Sequence, residues 1–341
     1  MRKLSICVLF GGPEGERQTS VRAAVSVLKR MDPEKYNVFP VCITTKGDWI
    51  LYGGRDFDVL LQPDWMNLPE CRRAAISPVR NQGLLTFEDD CVVRERIDVA
   101  FPLIRADFGA IQGLLDLAGI PFVGSDAAAC ALTADKALTK LMAEKLELQT
   151  APWQQVKSCD VENHPQQVLQ ELEETLGYPL FIKSVQRLAE AKVCAACDRQ
   201  QLLEALQEMC LWGEWVLVES AVEGWEVEVA VMGNSIPMAS VCAEIDTAET
   251  SRAFIPARIP EEQEEAVREA AVKLYGALGC KGIGKLTFFV KYDNSGIVFE
   301  SANAQPDFSE SALVANLFAA SGIPMEQLVD QLVELAMEEK E

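Results

Sequence analysis

Histidine, aromatic residues and long apolar runs are all scarce in this chain. His164 is the only histidine among 341 residues, and 7% of the residues are aromatic. Cys194 and Cys197 form a CxxC pair, but a second ligand pair at zinc spacing is missing, so a metal or redox role for them is the less favoured alternative. No apolar run approaches the ~20 residues of a transmembrane helix. The eleven cysteines are predicted to be reduced and buried structural thiols.

Positive charge is also scarce. Against 52 acidic residues stand 31 basic ones, a net charge of −21 that repels nucleic acid and anionic membranes. A binder of an anionic nucleotide would therefore need locally placed lysines. The apolar run Leu4–Phe10 leads into glycines and not into a cleavage site, so it predicts a first β-strand in a cytoplasmic protein, and not a signal peptide.

The apolar pattern predicts two or three packed sub-domains, because 49% of the residues are hydrophobic and the chain is too long for one ordinary core. A strand at Leu4–Phe10, a helix at Ser20–Lys29 and a strand at Val38–Ile43 predict a βαβ unit of a parallel sheet. The segment from Asp126 to Leu146 predicts one helix. Leu180–Lys183 and Trp215–Glu219 are the clearest of the later strands, and further strands are predicted at Gly284–Lys291 and Ile297–Glu300 with a helix at Glu261–Leu278. Short strands are predicted at Trp49–Tyr52 and Gly83–Phe87, in a segment with many Pro, Asp and Asn residues.

Several short strings occur in an order and spacing that resemble the D-alanine-D-alanine ligase family over essentially the whole chain. They are Val8-Leu-Phe-Gly-Gly12 with Glu16-Arg17 and Ser20, the run from Ile111 to Ser125, Thr133-Ala-Asp-Lys136, Gly177 to Lys183, Val216-Leu-Val-Glu219 through Glu226, Leu278 to Gly282, and Ala302-Asn303 with Pro306. The resemblance implies a parallel α/β domain at 1–126 followed by a two-lobed ATP-grasp fold, with lobes at 127–223 and 224–341. Residues 45–95 resemble an insertion found in longer members.

The chemistry implied by the resemblance is carboxylate-amine ligation in cell-wall precursor synthesis. ATP phosphorylates the carboxylate of one D-alanine, and the amine of a second attacks the acyl phosphate. Such chemistry needs cations on the phosphates, Mg²⁺ held by carboxylates and donors for the oxyanion. A homodimer is also implied.

The residues that the resemblance assigns to ATP are mostly present. Lys136 and Lys183 correspond to the lysines on the phosphates, Glu219 and Val222 to the adenine site, and Glu226 to the ribose site. A surface role is the alternative for each lysine taken singly.

The amino-acid site is partly present. Glu16 stands where a carboxylate holds the ammonium of the first D-alanine, with Ser20 in register, although a helix-start charge is an equally weighted interpretation of Glu16. Arg105 and Leu313 are predicted at the substrate pocket. Lys285 replaces the arginine of the catalytic centre, and the resemblance implies Glu16, Ser20 and Lys285 as the catalytic residues.

The metal and acyl-transfer residues are altered. Thr287 and Ser301 stand where the family has an aspartate and a glutamate, which leaves Asn303 in register. Glu300 is one position off and is predicted by strand alternation to face away, unless a local bulge lets Glu300 or Asp307 substitute. Asp307 and Ala312 replace an oxyanion-hole glycine and a substrate-binding serine.

Two loops that would cover the site also differ from the family. Residues 186–192 lack the serines and glycines of a phosphate loop, and 246–258 is too short for the lid and lacks its tyrosine. Three hypotheses follow: a member with impaired catalysis, which is favoured, an active D-alanine-D-alanine ligase, and a ligase for another carboxylate anchored by Arg105, Arg187 and Lys192.

Overall fold

The chain forms three β-sheets with helices packed against them, as seen in a computed structural model. The structure describes residues 2–89, 91–105, 108–185, 193–246 and 252–338. This architecture confirms the predicted α/β and α+β fold class, because a unit with parallel strands is followed by two antiparallel sheets.

The N-terminal sheet has seven strands and contains the predicted βαβ unit. Strand β1 pairs in parallel with β2, because α1 returns the chain across the sheet, and it also pairs in parallel with β7. Strands β3 to β6 extend the sheet by antiparallel pairing. The strand order is β6-β5-β4-β3-β2-β1-β7. The elements are β1 (Leu4–Gly11), α1 (Glu14–Arg30), β2 (Tyr36–Ile43), β3 (Trp49–Tyr52), 3-10 turns at Phe57–Leu61 and Trp65–Asn67, β4 (Cys71–Ile76), β5 (Leu84–Phe87), β6 (Val92–Glu95), β7 (Val99–Pro102) and α2 (Ala110–Ala118).

The segment predicted as one helix consists of two helices, α3 (Ala127–Ala134) and α4 (Lys136–Lys145). The single-helix prediction was wrong because Asp135 has an extended backbone and its side chain accepts a hydrogen bond from the Leu138 amide. An aspartate in that conformation caps a new helix and ends the previous one. The second helix therefore begins at Lys136.

A four-stranded antiparallel sheet of order β10-β9-β11-β8 follows. Successive side chains of its strands point to opposite faces of the sheet. Ile182, Val216 and Val218 pack on the helices, whereas Lys183 and Glu219 project from the opposite face. The elements are β8 (Trp153–Lys157), α5 (Ser158–Asn163), α6 (Pro165–Thr175), β9 (Leu180–Ser184), β10 (Val193–Ala196), α7 (Arg199–Cys210) and β11 (Trp215–Ser220).

The third sheet has five strands in the order β14-β13-β12-β15-β16. Its apolar face packs against α8, while the last two helices pack on the core of the N-terminal sheet. The elements are β12 (Gly224–Met232), β13 (Met238–Ile245), β14 (Ala253–Phe254), α8 (Glu261–Ala277), β15 (Ile283–Lys291), β16 (Ile297–Asn303), α9 (Leu313–Ala320) and α10 (Met325–Glu338). No helix in the described ranges is long and apolar enough to cross a membrane.

The cysteines are all free thiols, but the prediction that they are buried holds only for some. Cys7, Cys42, Cys130, Cys242 and Cys280 are buried, and burial raises the pKa of the Cys242 thiol to about 12. The prediction was wrong for three cysteines that are exposed in loops, strand ends or short helices. These are Cys91, Cys159 and Cys197.

Candidate functional site

Two lysines and two glutamates form a buried ionic cluster between the central and C-terminal sheets. Lys183 Nζ lies 2.5 Å from Glu219 Oε2 and 2.5 Å from Glu300 Oε1. Lys140 Nζ lies 2.7 Å from Glu219 Oε1 and 3.8 Å from Glu300 Oε2. The side chain of Lys140 is 0% exposed and that of Glu219 is 3% exposed, so this ionic cluster is shielded from water.

Each member of the ionic cluster comes from a different element. Lys140 is on α4, Lys183 on β9, Glu219 on β11 and Glu300 on β16. The cluster therefore ties the helix that precedes the central sheet to both sheets. Two positive and two negative charges balance, which is the condition under which buried charges are tolerated.

The position of Glu300 corrects the prediction from strand alternation. Thr287 on β15 pairs with Ser301, whereas the next residue, Phe288, pairs with Phe299, so Glu300 is left without a cross-strand partner. An extra residue of this kind is a β-bulge, which redirects a side chain. Glu300 consequently points towards Lys183 and not away from it, which is the alternative that a bulge allows.

The pKa values of the ionic cluster follow from its pairing. Burial acts to raise the pKa of Glu219, but Lys140 and Lys183 outweigh burial and hold the pKa below its ordinary value. Burial acts to lower the pKa of Lys183, but Glu300 and Glu219 outweigh it and raise the pKa. Both groups therefore stay charged at neutral pH.

Lys136 lies beside the strand that carries Lys183. Its Nζ donates to the carbonyl of Ser184 at 3.1 Å, and its backbone N–H donates to the carbonyl of Val185 at 3.0 Å. The start of α4 is thereby attached to the end of β9. The structure thus places the two lysines predicted at the phosphates on adjacent segments, the start of α4 and the end of β9.

A second group of charges lies on the face of the C-terminal sheet that carries Glu300. Glu226 and Glu228 alternate with the buried valines of β12 and share one face, and Lys285 Nζ contacts Glu228 Oε1 at 2.5 Å. Burial, followed by the charges of Glu228 and Glu300, raises the pKa of Glu226. Lys285 is therefore engaged by a carboxylate that the sequence prediction did not include.

Glu16 and Arg105 form an ion pair at the carboxyl ends of β1 and β7. Arg105 donates to Glu16 Oε2 from Nε at 3.0 Å and from Nη2 at 2.5 Å. The side chains are 13% and 26% exposed, respectively. Two residues predicted at the substrate pocket thus contact each other directly.

Ser20 makes backbone contacts at the same end of the sheet. Its hydroxyl accepts a hydrogen bond from the Gly11 amide at 2.9 Å and donates to the Leu103 carbonyl at 2.8 Å. The residue is 2% exposed. Ser20 therefore attaches the end of β1 to the segment after β7, and in this structure its hydroxyl is used for that attachment.

Val222 and Leu313 lie apart from the ionic cluster. Val222 lines an open pocket of about 400 Å³ together with Glu223, Lys291 and Tyr292. Leu313 is the first residue of α9 and packs against the core of the N-terminal sheet. Their predicted roles at the adenine and at the substrate stay predictions.

The donor set for Mg²⁺ is small. Asn303 Oδ1 accepts from the Gln305 amide at 3.1 Å, and both oxygens of Asp307 accept from Ser309. In the described part of the chain, no three His, Cys, Asp or Glu residues are placed to hold a metal ion. Mg²⁺ ordinarily takes one or two carboxylates together with substrate phosphates. Glu300 and Asn303 fit this minimum.

Some predicted features lie outside the described residues. These are Arg187 and Lys192, the whole segment 186–192 that replaces the phosphate loop, and residues 247–251 of the shortened lid region.

Sequence reasoning missed Lys140 and Glu228. Lys140 follows Lys136 by four residues, the spacing of one helix face, and this was the only signal available for it. Glu228 follows Glu226 by two, which places both on one face of a strand. In each case the spacing gives the face but not the partner.

Comparisons with known proteins agree over the whole length. Family models described as D-ala D-ala ligase N-terminus and C-terminus match residues 5–125 and 142–334. The chain is 34% identical to the D-alanine–D-alanine ligase of Chlorobium phaeovibrioides, with 99% of this chain and 98% of the relative covered. The corresponding ligase of Caldicellulosiruptor bescii is 32% identical, with 99% and 96% covered.

Solved structures give the same result. The VanG D-Ala:D-Ser ligase from Enterococcus faecalis has a TM-score of 0.87 at 28% identity, with 98% of this chain and 100% of that chain covered. The D-alanine-D-alanine ligase from Coxiella burnetii has a TM-score of 0.87 at 25% identity, with 99% and 95% covered.

Proposed function

Because the chain belongs to the D-alanine-D-alanine ligase family, we propose that it binds ATP between its central and C-terminal sheets but is impaired in the ligation of D-alanine. The proposed nucleotide contacts are Lys136 and Lys183 on the phosphates and Glu226 on the ribose. A half-buried carboxylate such as Glu226 can accept hydrogen bonds from ribose hydroxyls.

The observation that carries the proposed impairment is the ion pair between Lys285 and Glu228. Lys285 stands where the family resemblance implies a catalytic arginine, and its ammonium lies 2.5 Å from a carboxylate that is 13% exposed. A cation stabilises a developing oxyanion only if its field is not already cancelled nearby. The pair therefore supports weak stabilisation of the acyl-transfer transition state.

Mg²⁺, when bound with the nucleotide, would neutralise phosphate charge. Glu300 and Asn303 are the proposed protein ligands, and Thr287 supplies no carboxylate. To reach a metal ion, the Glu300 carboxylate would have to give up part of its contact with Lys183. We therefore expect metal affinity in the absence of nucleotide to be low.

Isothermal titration of the full chain with ATP, with and without Mg²⁺, tests nucleotide binding. Phosphate release on addition of D-alanine tests turnover, with the C. phaeovibrioides ligase as the positive control. We expect saturable ATP binding and phosphate release at least a hundredfold slower than the control, because loss of one oxyanion donor alone costs roughly that much. Phosphate release at the control rate would refute the impairment, and absence of ATP binding would refute the nucleotide site.

An active D-alanine-D-alanine ligase is the second candidate. The bulge at Glu300 supports it, because this carboxylate is directed into the cleft although its sequence position is shifted by one. The same phosphate-release assay distinguishes the two candidates. A homodimeric state, implied by the family, remains a prediction.

A further inference from the structure

The ion pair of Glu16 and Arg105 occupies the edge of the N-terminal sheet where ligands of open α/β sheets bind. Glu16 is in the first turn of α1, directly after β1, and Arg105 follows β7 by three residues. Because β1 and β7 are parallel neighbours, their carboxyl ends lie side by side. Gly11, the last residue of β1, and Gly12 have φ of +99° and +93° and add no side chain to this crevice.

Part of the hydrogen-bonding capacity of the ion pair is unused among the described residues. Both contacts from Arg105, through Nε and Nη2, go to the same oxygen, Oε2 of Glu16. Within the described ranges no hydrogen bond engages Oε1 of Glu16 or Nη1 of Arg105. With 13% and 26% exposure, the pair leaves Oε1 of Glu16 as an acceptor and the two N–H groups of Nη1 of Arg105 as donors at the crevice.

The crevice is next to the loop that follows the C-terminal sheet. Gln305 Nε2 donates to the carbonyl of Ile104, the residue before Arg105, at 3.1 Å. Gln305 itself follows Asn303, whose side chain accepts from the Gln305 amide. A small ligand on the ion pair would therefore lie beside the proposed nucleotide cleft.

The guanidinium changes which ligand charge the carboxylate can attract. An ammonium about 3 Å from the carboxylate would lie about 5 Å from the guanidinium, and the 1/r dependence then cancels roughly three-fifths of the attraction. A hydroxyl donor is uncharged, so the guanidinium does not weaken its hydrogen bond to the carboxylate of Glu16. A ligand carboxylate is attracted by the nearby guanidinium of Arg105. The paired site therefore no longer favours an ammonium group over a neutral donor.

We propose that the Glu16–Arg105 pair selects a small carboxylic acid without an α-ammonium group, a 2-hydroxy acid being the best match. The hydroxyl donates to Oε1 of Glu16, and the carboxylate accepts from Nη1 of Arg105. This inference depends on the proposed function only for placing the acid next to a nucleotide. Acid binding and ATP binding are therefore measured separately.

The test is isothermal titration of the full chain with D-lactate, propionate and D-alanine, which differ in the group on the α-carbon. For the unmodified protein we expect D-lactate to bind at least tenfold more tightly than D-alanine, with propionate between them. In Arg105→Ala the carboxylate of Glu16 is unpaired, so the preference should shift towards D-alanine by at least tenfold. The matched control is Arg96→Ala, which removes an exposed arginine paired with Asp98 before β7 and should leave the preference unchanged.

Glu16→Gln gives an independent measurement in case Arg105→Ala does not fold. It keeps the size of the side chain and leaves Arg105 unpaired, so D-lactate should bind more tightly and D-alanine should remain weak. Tighter binding of D-alanine than of D-lactate by the unmodified protein overturns the proposal, as does binding of none of the three acids. An unchanged preference in both variants also overturns it. A parallel ATP titration shows whether the nucleotide site fails independently.

Discussion

Replacing Lys140 by methionine should destabilise the protein strongly although Lys140 is absent from every predicted binding contact. Its ammonium is fully buried and lies 2.7 Å from Glu219, which is 3% exposed. Methionine fills similar space but leaves the carboxylate with one partner instead of two. The substitution therefore changes charge compensation far more than packing.

The magnitude follows from burial. Breaking a buried ion pair by removing one partner costs about 3–5 kcal/mol, because the remaining charge is left uncompensated. Glu219 keeps Lys183 at 2.5 Å, so we expect a loss near the lower end, about 3 kcal/mol in the free energy of unfolding. A loss of that size corresponds to roughly a hundredfold change in the equilibrium constant of unfolding.

The assay is urea unfolding followed by tryptophan fluorescence, which reports on Trp153 and Trp215 at the central sheet. The matched control is Lys29→Met, which removes a lysine paired with Asp58 at 2.5 Å where both side chains are about half exposed. Exposed pairs contribute about 0–1 kcal/mol, so the control should lose no more than that. The two variants thus compare pairs of similar length and different burial.

A double variant distinguishes the loss of charge balance from a general loss of stability. Adding Glu219→Gln to Lys140→Met removes the uncompensated charge, so the double variant should lose less than the sum of the two single variants. If Lys140→Met loses no more than Lys29→Met, or if the two single effects add without coupling, then the buried charge balance is not what stabilises this region.

Two other predictions concern pH and the N-terminal crevice. The pKa of Glu219 is lowered on folding, so its contribution to stability is present above its ordinary pKa near 4.5 and is lost as pH falls through the folded pKa. The pKa of Lys183 is raised on folding, so its contribution is present below its ordinary pKa of about 10.5 and is lost as pH rises through the folded pKa. Urea midpoints measured across pH should accordingly fall at both ends, and an acid limb unchanged in Glu219→Gln would contradict this assignment. Ser20→Ala should lose about 1–3 kcal/mol in the same assay, because a buried amide of Gly11 and carbonyl of Leu103 lose their partner, and a loss below 0.5 kcal/mol, roughly the size of a surface effect, would show that the attachment is dispensable.

The order of elements at the N-terminus was determined by the sequence alone. Apolar strands and an intervening helix at the N-terminus predict the parallel βαβ unit, and the structure pairs β1 with β2 and β7 in parallel. The alternation of Val227, Val229 and Val231 fixes which face of β12 is buried, and thereby places Glu226 and Glu228 on the other face. Such local patterns are set by side-chain periodicity, which acts within one element.

Only the tertiary structure decided which charges meet. Glu16 and Arg105 are 89 residues apart, Lys285 and Glu228 are 57 apart, and Lys183 and Glu300 are 117 apart. Strand alternation alone directed Glu300 the wrong way, because a bulge depends on the pairing of two strands and not on either strand by itself. The strength of an electrostatic interaction depends on distance and burial. The sequence therefore determines which charged groups are present and which face of an element they occupy, whereas the tertiary structure determines which of them pair.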